Sequence, residues 1–262
     1  MGFLFLNLKG NMKRNLKIKD EVVKKEKFTR REFPTLQPKN ESQRLFMESM
    51  MYDSLVVAHG SAGVGKTILA CYHAAKQLHT GKIKKIVLIR AYQPLAGRSI
   101  GLLPGTATEK LMGFYQQMIN YFEDCLGKAS TEIHVKNGTI EICSLETIRG
   151  RSWQDCIVVC DEAQNLYVQE IQALMTRAGD RCQMILCGDD SGIQTDIKKG
   201  MDGLTYLKKV VSKYDISDSC FISFTRDDIV RSGMTKEFVI AFEEEFLLEK
   251  DGKGILNEKG KK

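Results

Sequence analysis

The run Gly60-Ser61-Ala62-Gly63-Val64-Gly65-Lys66-Thr67 has the spacing GxxxxGK[ST]. Glycines at these positions let a backbone wind tightly with its N–H groups turned inward, and a following helix adds partial positive charge, so such a loop cradles phosphates. Its surroundings fit. A buried strand, Leu55 to Ala58, leads in, and Ile68 through Leu78 reads as a helix that Gly81 can cap. In this reading Gly60, Ser61, Ala62, Gly63, Val64 and Gly65 supply backbone, Lys66 reaches the outer phosphates, and Thr67 ligates Mg2+.

A phosphate loop needs a carboxylate for the metal at the end of another buried strand. Asp161-Glu162-Ala163-Gln164 follows directly on Cys156 to Cys160. Asp161 is expected in the Mg2+ shell and Glu162 as the group that polarises a water for attack on the γ-phosphate. Taken alone, the same acids would serve as a helix cap and first-turn acid. A third apolar run leads into Gly188-Asp189-Asp190-Ser191-Gly192-Ile193-Gln194. Gln194 is the residue there best suited to touch the γ-phosphate or the attacking water; a polar Asp/Gly turn is the plainer reading.

Positioning these groups requires a sheet. Leu55–Ala58, Ile86–Ile89, Ile157–Cys160, Met184–Cys187 and Cys220–Ser223 are continuous apolar, β-branched-rich runs alternating with helical patterns. They read as strands covered on both faces, hence a mostly parallel sheet flanked by helices in an α/β domain. One stretch differs: Glu132–Val135 and Thr139–Ile142 alternate around Asn137-Gly138, which predicts an inserted β-hairpin.

The chain has 262 residues, 43% hydrophobic and 27% charged, which excludes disordered, collagen-like and membrane-embedded classes. The longest apolar stretch near the start, Phe3–Leu6, is too short to span a membrane, so a cytoplasmic protein is expected. The eight cysteines form no CxxC and mostly sit in apolar runs, so neither disulfides nor zinc are expected. The net charge of +6 is concentrated at the ends: residues 1–33 hold ten Lys/Arg against four acids, and 250–262 hold five Lys against two. These divide the chain into a basic leader (1–33), a P-loop domain (34–249) and a basic tail (250–262). Basic arms either confer solubility or contact phosphate backbones.

The blocks together resemble the PhoH-like family of P-loop ATPases. The resemblance runs from about Leu36 to Phe246 and rests on the phosphate loop, Gly101-Leu102-Leu103-Pro104-Gly105 with Glu109-Lys110, Arg149-Gly150-Arg151-Ser152, Asp161-Glu162-Ala163-Gln164-Asn165, Thr176-Arg177-Ala178-Gly179, Gly188-Asp189, and Asp228-Ile229-Val230-Arg231. It implies a RecA-like fold similar to the first motor domain of superfamily 1 helicases, ATP hydrolysis with Mg2+, and action on single-stranded RNA. The family's Thr-Arg-Pro appears here as Ile89-Arg90-Ala91, and its Gly-Asp-x-x-Gln-x-Asp is two residues longer before Gln194. No nuclease-type companion domain fits in the leader, so RNA cleavage is not expected.

The helicase-like resemblance makes Gln43 a reader of adenine's edge; a capping-box Gln at N3 after Asn40 explains it equally. For guanine, Ser212-Lys213-Tyr214-Asp215 is a weak echo of Asn-Lys-x-Asp, so ATP is preferred over GTP. Arg90, Arg98, Arg149, Arg151 and Arg177 are expected to cluster near the strand ends and either grip an RNA backbone or pair with nearby acids. Trp153 beside them stacks on a base or packs inside. The chain has no room for a second motor domain, so an arginine finger is expected in trans within a homo-oligomeric ring, a hexamer by helicase-like analogy, with Arg231 the first candidate. The competing reading is a nucleotide-dependent assembly or signalling module without a nucleic-acid partner.

Overall fold

The structure, a computed structural model, describes residues 32–91, 107–189, 197 and 202–250, with backbone alone at 107–111 and 250. Apart from Glu32 these belong to one unit, Phe33–Lys262. The order is α1 (Glu41–Tyr52), β1 (Leu55–Gly60), α2 (Lys66–His79), β2 (Lys85–Arg90), α3 (Ala107–Leu126), α4 (Lys128–Lys136), β3 (Ile140–Ile142), β4 (Cys156–Asp161), α5 (Val168–Met175), β5 (Cys182–Gly188), α6 (Gly203–Tyr214), β6 (Ser219–Phe224) and α7 (Met234–Lys250).

The strands form a six-stranded sheet in the order β3-β2-β4-β5-β1-β6, and every pairing is parallel. Alternate side chains of each strand point to opposite faces, so the sheet feeds two cores. Val56, Ala58, Ile86, Leu88, Ile157, Val159 and Ile185 pack with α1, α2 and α3. Leu55, Val57, Val87, Ile89, Val158, Cys160, Met184 and Leu186 pack with α5 and α6. This is the parallel sheet covered on both faces that the apolar runs imply and the RecA-like fold that the resemblance implies, with the phosphate-loop strand β1 and the acid-bearing strand β4 separated by β5.

Two expectations are corrected. The hairpin at Asn137-Gly138 does not form: residues 128–136 are helix α4, and β3 pairs in parallel with β2. Asn137 and Gly138 end that helix, their N–H groups donating to Ile133 O (2.9 Å) and Val135 O (3.2 Å), with Gly138 at φ 75°. An Asn-Gly pair satisfies the last carbonyls of a helix as readily as it turns a hairpin, and four alternating residues are too few to separate the two. The second correction is β6, which is an edge strand, half-buried over most of its length, and not one covered on both faces. Phe33, assigned to the leader, packs on the ring of Tyr72 of α2 at 5.4 Å between centroids. Seven of the eight cysteines are buried and Cys220 is half-buried.

One buried polar contact ties the layers together. His73 of α2 meets Gln183 Oε1 of β5 at 3.1 Å, and Gln183 Nε2 donates to the carbonyls of Met50 and Asp53. Burial pulls the imidazole from 6.5 down to about 4, so His73 is neutral at pH 7. The unfolded chain takes up a proton below 6.5 while the fold resists it until about 4. Stability is therefore full above pH 6.5 and lost as pH falls to 4, by about 3 kcal/mol for the whole interval. Urea midpoints for the wild type and His73→Gln should converge between pH 7.5 and 4.5; parallel curves would show that His73 is not the titrating group.

Candidate active site

The loop after β1 is shaped by three glycines at positive φ: Gly60 (119°), Gly63 (77°) and Gly65 (92°). Side chains are disfavoured in this region, and at Gly60 a Cβ would run into the carbonyl oxygen of Phe224 on the neighbouring strand. Gly65 is the N-cap of α2, so the loop lies at the positive end of that helix. Lys66 opens α2 and turns its Nζ back over the loop, donating to the carbonyls of Gly60 and Ser61, both at 2.7 Å. Burial holds its pKa below the ordinary lysine value, while the carboxylates of Asp189, Asp161 and Glu162 oppose the shift.

Next in the same helix, Thr67 donates from Oγ1 to Asp161 Oδ1 at 2.7 Å, linking the phosphate loop to the end of β4. Burial, and then the adjacent Glu162 charge, raise the Asp161 pKa. A hydroxyl and a buried carboxylate in contact form the oxygen donor set that Mg2+ takes alongside substrate phosphates. A cation there would also relieve the burial that raises Asp161. The donor set therefore fits Mg2+, with Thr67 and Asp161 as its protein ligands.

Glu162 stands at φ 55°, the left-handed region, which turns its side chain away from the direction of β4. Arg90 Nη2 donates to its Oε1 at 3.1 Å and Gln164 Nε2 to its Oε2 at 2.7 Å. Arg90 itself is anchored by donating to Phe114 O at 2.8 Å. Gln164 Oε1 in turn accepts from the Asp189 N–H at 2.9 Å, tying the ends of β4 and β5 together. The sequence named neither Arg90 nor Gln164 as a partner of Glu162. Pairing of Arg90 with Asp161 across β2 and β4 is what brings Arg90 there.

A cleft of roughly 370 Å3 is lined by the loop, Asp161, Glu162, Gln164 and Asp189 together with Ile68, Gln117, Tyr121, Val230, Arg231 and Val239. Arg231 lies over its own loop: a Cβ on Gly63 would meet its Cδ at 3.1 Å, and the Val230 N–H donates to Gly63 O at 3.3 Å. Among the described residues it makes no ion pair with Asp227 or Asp228. The sequence reading offers Arg231 as a finger delivered in trans; in this single chain its side chain lies at the chain's own phosphate loop.

Of the two readings of Gln43, the capping one has its contacts present. Gln43 occupies N3 of α1 after the Asn40 cap, whose side chain accepts from the Gln43 N–H. Its own Oε1 accepts from Lys39 N and its Nε2 donates to Val64 O, both at 2.8 Å. With the amide engaged inside the protein and the residue buried, Gln43 braces the phosphate loop and does not line the cleft.

Comparison with known proteins places the chain in a family. The family model described as PhoH-like protein matches residues 35–243. The chain belongs to the PhoH-like family. A PhoH-like protein of Bacillus subtilis is 34% identical over 212 residues, covering 80% of this chain and 65% of the relative. One from Mycobacterium tuberculosis is 30% identical, covering 79% and 58%. Protein PhoH of Escherichia coli is 26% identical, covering 78% and 57%. The chain thus spans less than two thirds of the length of these relatives. Among solved structures, a large terminase from a thermophilic bacteriophage aligns at 10% identity and TM-score 0.45, covering 77% of this chain and 49% of the terminase.

The family blocks do not all gather at the cleft. Arg90 is at the carboxyl end of β2, but Arg177 precedes β5 and Trp153 precedes β4, the Trp153 N–H donating to Arg177 O at 3.0 Å. These are the amino ends of the strands, about 20 Å of strand away from Asp161 and Gly188. Trp153 is buried in the core beneath α5 and packs there without exposing a face. Arg151 pairs with Glu141 and Arg177 donates to Arg151 O, so both are engaged within the chain. Arg149 is exposed. Gln194 and Arg98 lie outside the described residues, as do Gly101–Gly105, residues 1–31 and the tail from 251. Among the described residues no helix is long and apolar enough to cross a membrane.

Proposed function

We propose that this chain binds ATP with Mg2+ and hydrolyses it, and that it couples hydrolysis to single-stranded RNA. The observation that carries the ATPase reading is the 2.7 Å bond from Thr67 Oγ1 to Asp161, which joins a phosphate loop to a buried acid at the carboxyl end of a parallel strand. Thr67 and Asp161 would hold Mg2+, which would offset the charge of the phosphates when bound. Lys66, released from the Gly60 and Ser61 carbonyls, transfers its hydrogen bonds to the phosphates. Glu162, aimed by Arg90 and Gln164, accepts a proton from the water that attacks the γ-phosphorus as the bond to ADP breaks. Arg231 neutralises charge on the phosphates from within the same chain. Because that arginine is supplied in cis, hydrolysis does not require a ring.

The RNA partner is supported by the family membership and by the basic ends of the sequence. The second reading, an assembly or signalling module without nucleic acid, is favoured by a specific observation: Arg90, Arg151 and Arg177 are all engaged inside the protein. Phosphate release measured with and without single-stranded RNA separates the two. Stimulation by RNA, with an RNA affinity whose salt dependence flattens when residues 1–33 are deleted, is the expected result, since fewer counterions are then released. No stimulation and no RNA binding would favour the second reading.

A further inference from the structure

We propose that the nucleobase is held by its faces in a slot formed by Ile68, Tyr121 and Val239, and that the chain consequently takes ATP and GTP with similar affinity. This rests on the nucleotide reading of the phosphate loop. The loop and the start of α2 fix where phosphates lie, and Thr67 with Asp161 fixes the metal side. A nucleoside attached to those phosphates must continue along the rest of the cleft. Besides the residues at the strand ends and Val230 with Arg231, its lining holds Ile68, one residue beyond Thr67, Gln117 and Tyr121 from α3, and Val239 from α7. Ile68, Tyr121 and Val239 are each half-buried and pack on one shared apolar core, so the slot is continuous with the interior.

Tyr121 is oriented for this role. Gln117, one helical turn earlier, donates from Nε2 to its hydroxyl at 2.8 Å, and both residues line the cleft. An aromatic ring and two aliphatic side chains hold any base by stacking and dispersion, and the Nε2 of the one amide beside them, Gln117, is spent on the Tyr121 hydroxyl. The amide that the sequence offered as an edge reader, Gln43, is engaged by Lys39 and Val64.

The test is equilibrium binding of ATP, GTP and inorganic tripolyphosphate, each with Mg2+, to the wild type and three variants. Tyr121→Ala should weaken ATP and GTP about tenfold, the usual worth of one stacked base, and leave tripolyphosphate unchanged. Tyr121→Phe, which keeps the ring but loses the bond from Gln117, should recover most of the nucleotide affinity that Tyr121→Ala loses and leave tripolyphosphate unchanged. Val239→Trp, which enlarges a side chain that lines the slot, should weaken both nucleotides and spare tripolyphosphate. Unchanged nucleotide affinity in Tyr121→Ala and Val239→Trp would overturn the slot. So would an equal loss of tripolyphosphate, because the effect would then act through the loop, or a wild-type preference for ATP over GTP beyond about fiftyfold, which one discriminating hydrogen-bonded edge would supply. Wild-type protein that binds none of the three would overturn the nucleotide reading itself.

Discussion

Glu162→Gln is expected to bind MgATP as the wild type does and to turn it over about 10^2 to 10^4 times more slowly, the range a positioned general base supplies. The substitution preserves shape and the contact from Gln164, whose Nε2 can still donate to an amide oxygen. It removes the charge that Arg90 faces and the basicity that accepts the water proton. Asp161 and Thr67, which hold the metal side, are untouched. Single-turnover phosphate release measured beside nucleotide binding checks both halves. Near-normal turnover would remove Glu162 from the mechanism.

Arg231→Ala should lower turnover about 10^3-fold, the smaller end of what an arginine at a transferring phosphate contributes. The effect should lie in kcat more than in binding, because the guanidinium acts on charge that grows as the γ-phosphate departs. Its cis placement makes a second outcome decisive. Arg231→Ala subunits mixed with Lys66→Ala subunits should recover no activity, since no combination of the two places an intact loop beside an intact arginine. Recovery on mixing would show that the arginine acts across a subunit interface after all.

The sequence disclosed the fold through composition that only a buried parallel strand tolerates. Val56-Val57-Ala58 and Ile157-Val158-Val159 have no polar face because both faces of the sheet are covered. It disclosed Lys66, Thr67 and Asp161 because a phosphate loop and a strand-end acid are local patterns. It misread residues 128–142 because Asn-Gly serves two kinds of chain reversal, and only the tertiary partner, β2, decides between them. It also could not place Arg90 on Glu162, Arg231 over Gly63 or Tyr121 in the cleft. Each of those contacts joins segments far apart in the chain, and their meeting depends on strand order, which the apolar runs do not encode. Gln43 shows the same limit in reverse: its cap position after Asn40 was readable, but the bond to Val64 that engages its amide was not.

The central claim is that the Gly60–Thr67 loop and Asp161 form a Mg2+-dependent ATPase site. Phosphate release from ATP by the purified chain, with Mg2+, with EDTA, and beside Lys66→Ala, tests it most directly. The expected result is turnover by the wild type with Mg2+, its loss in EDTA, and a large loss in Lys66→Ala even with Mg2+. Turnover that persists in EDTA, or that Lys66→Ala retains in full, would contradict it.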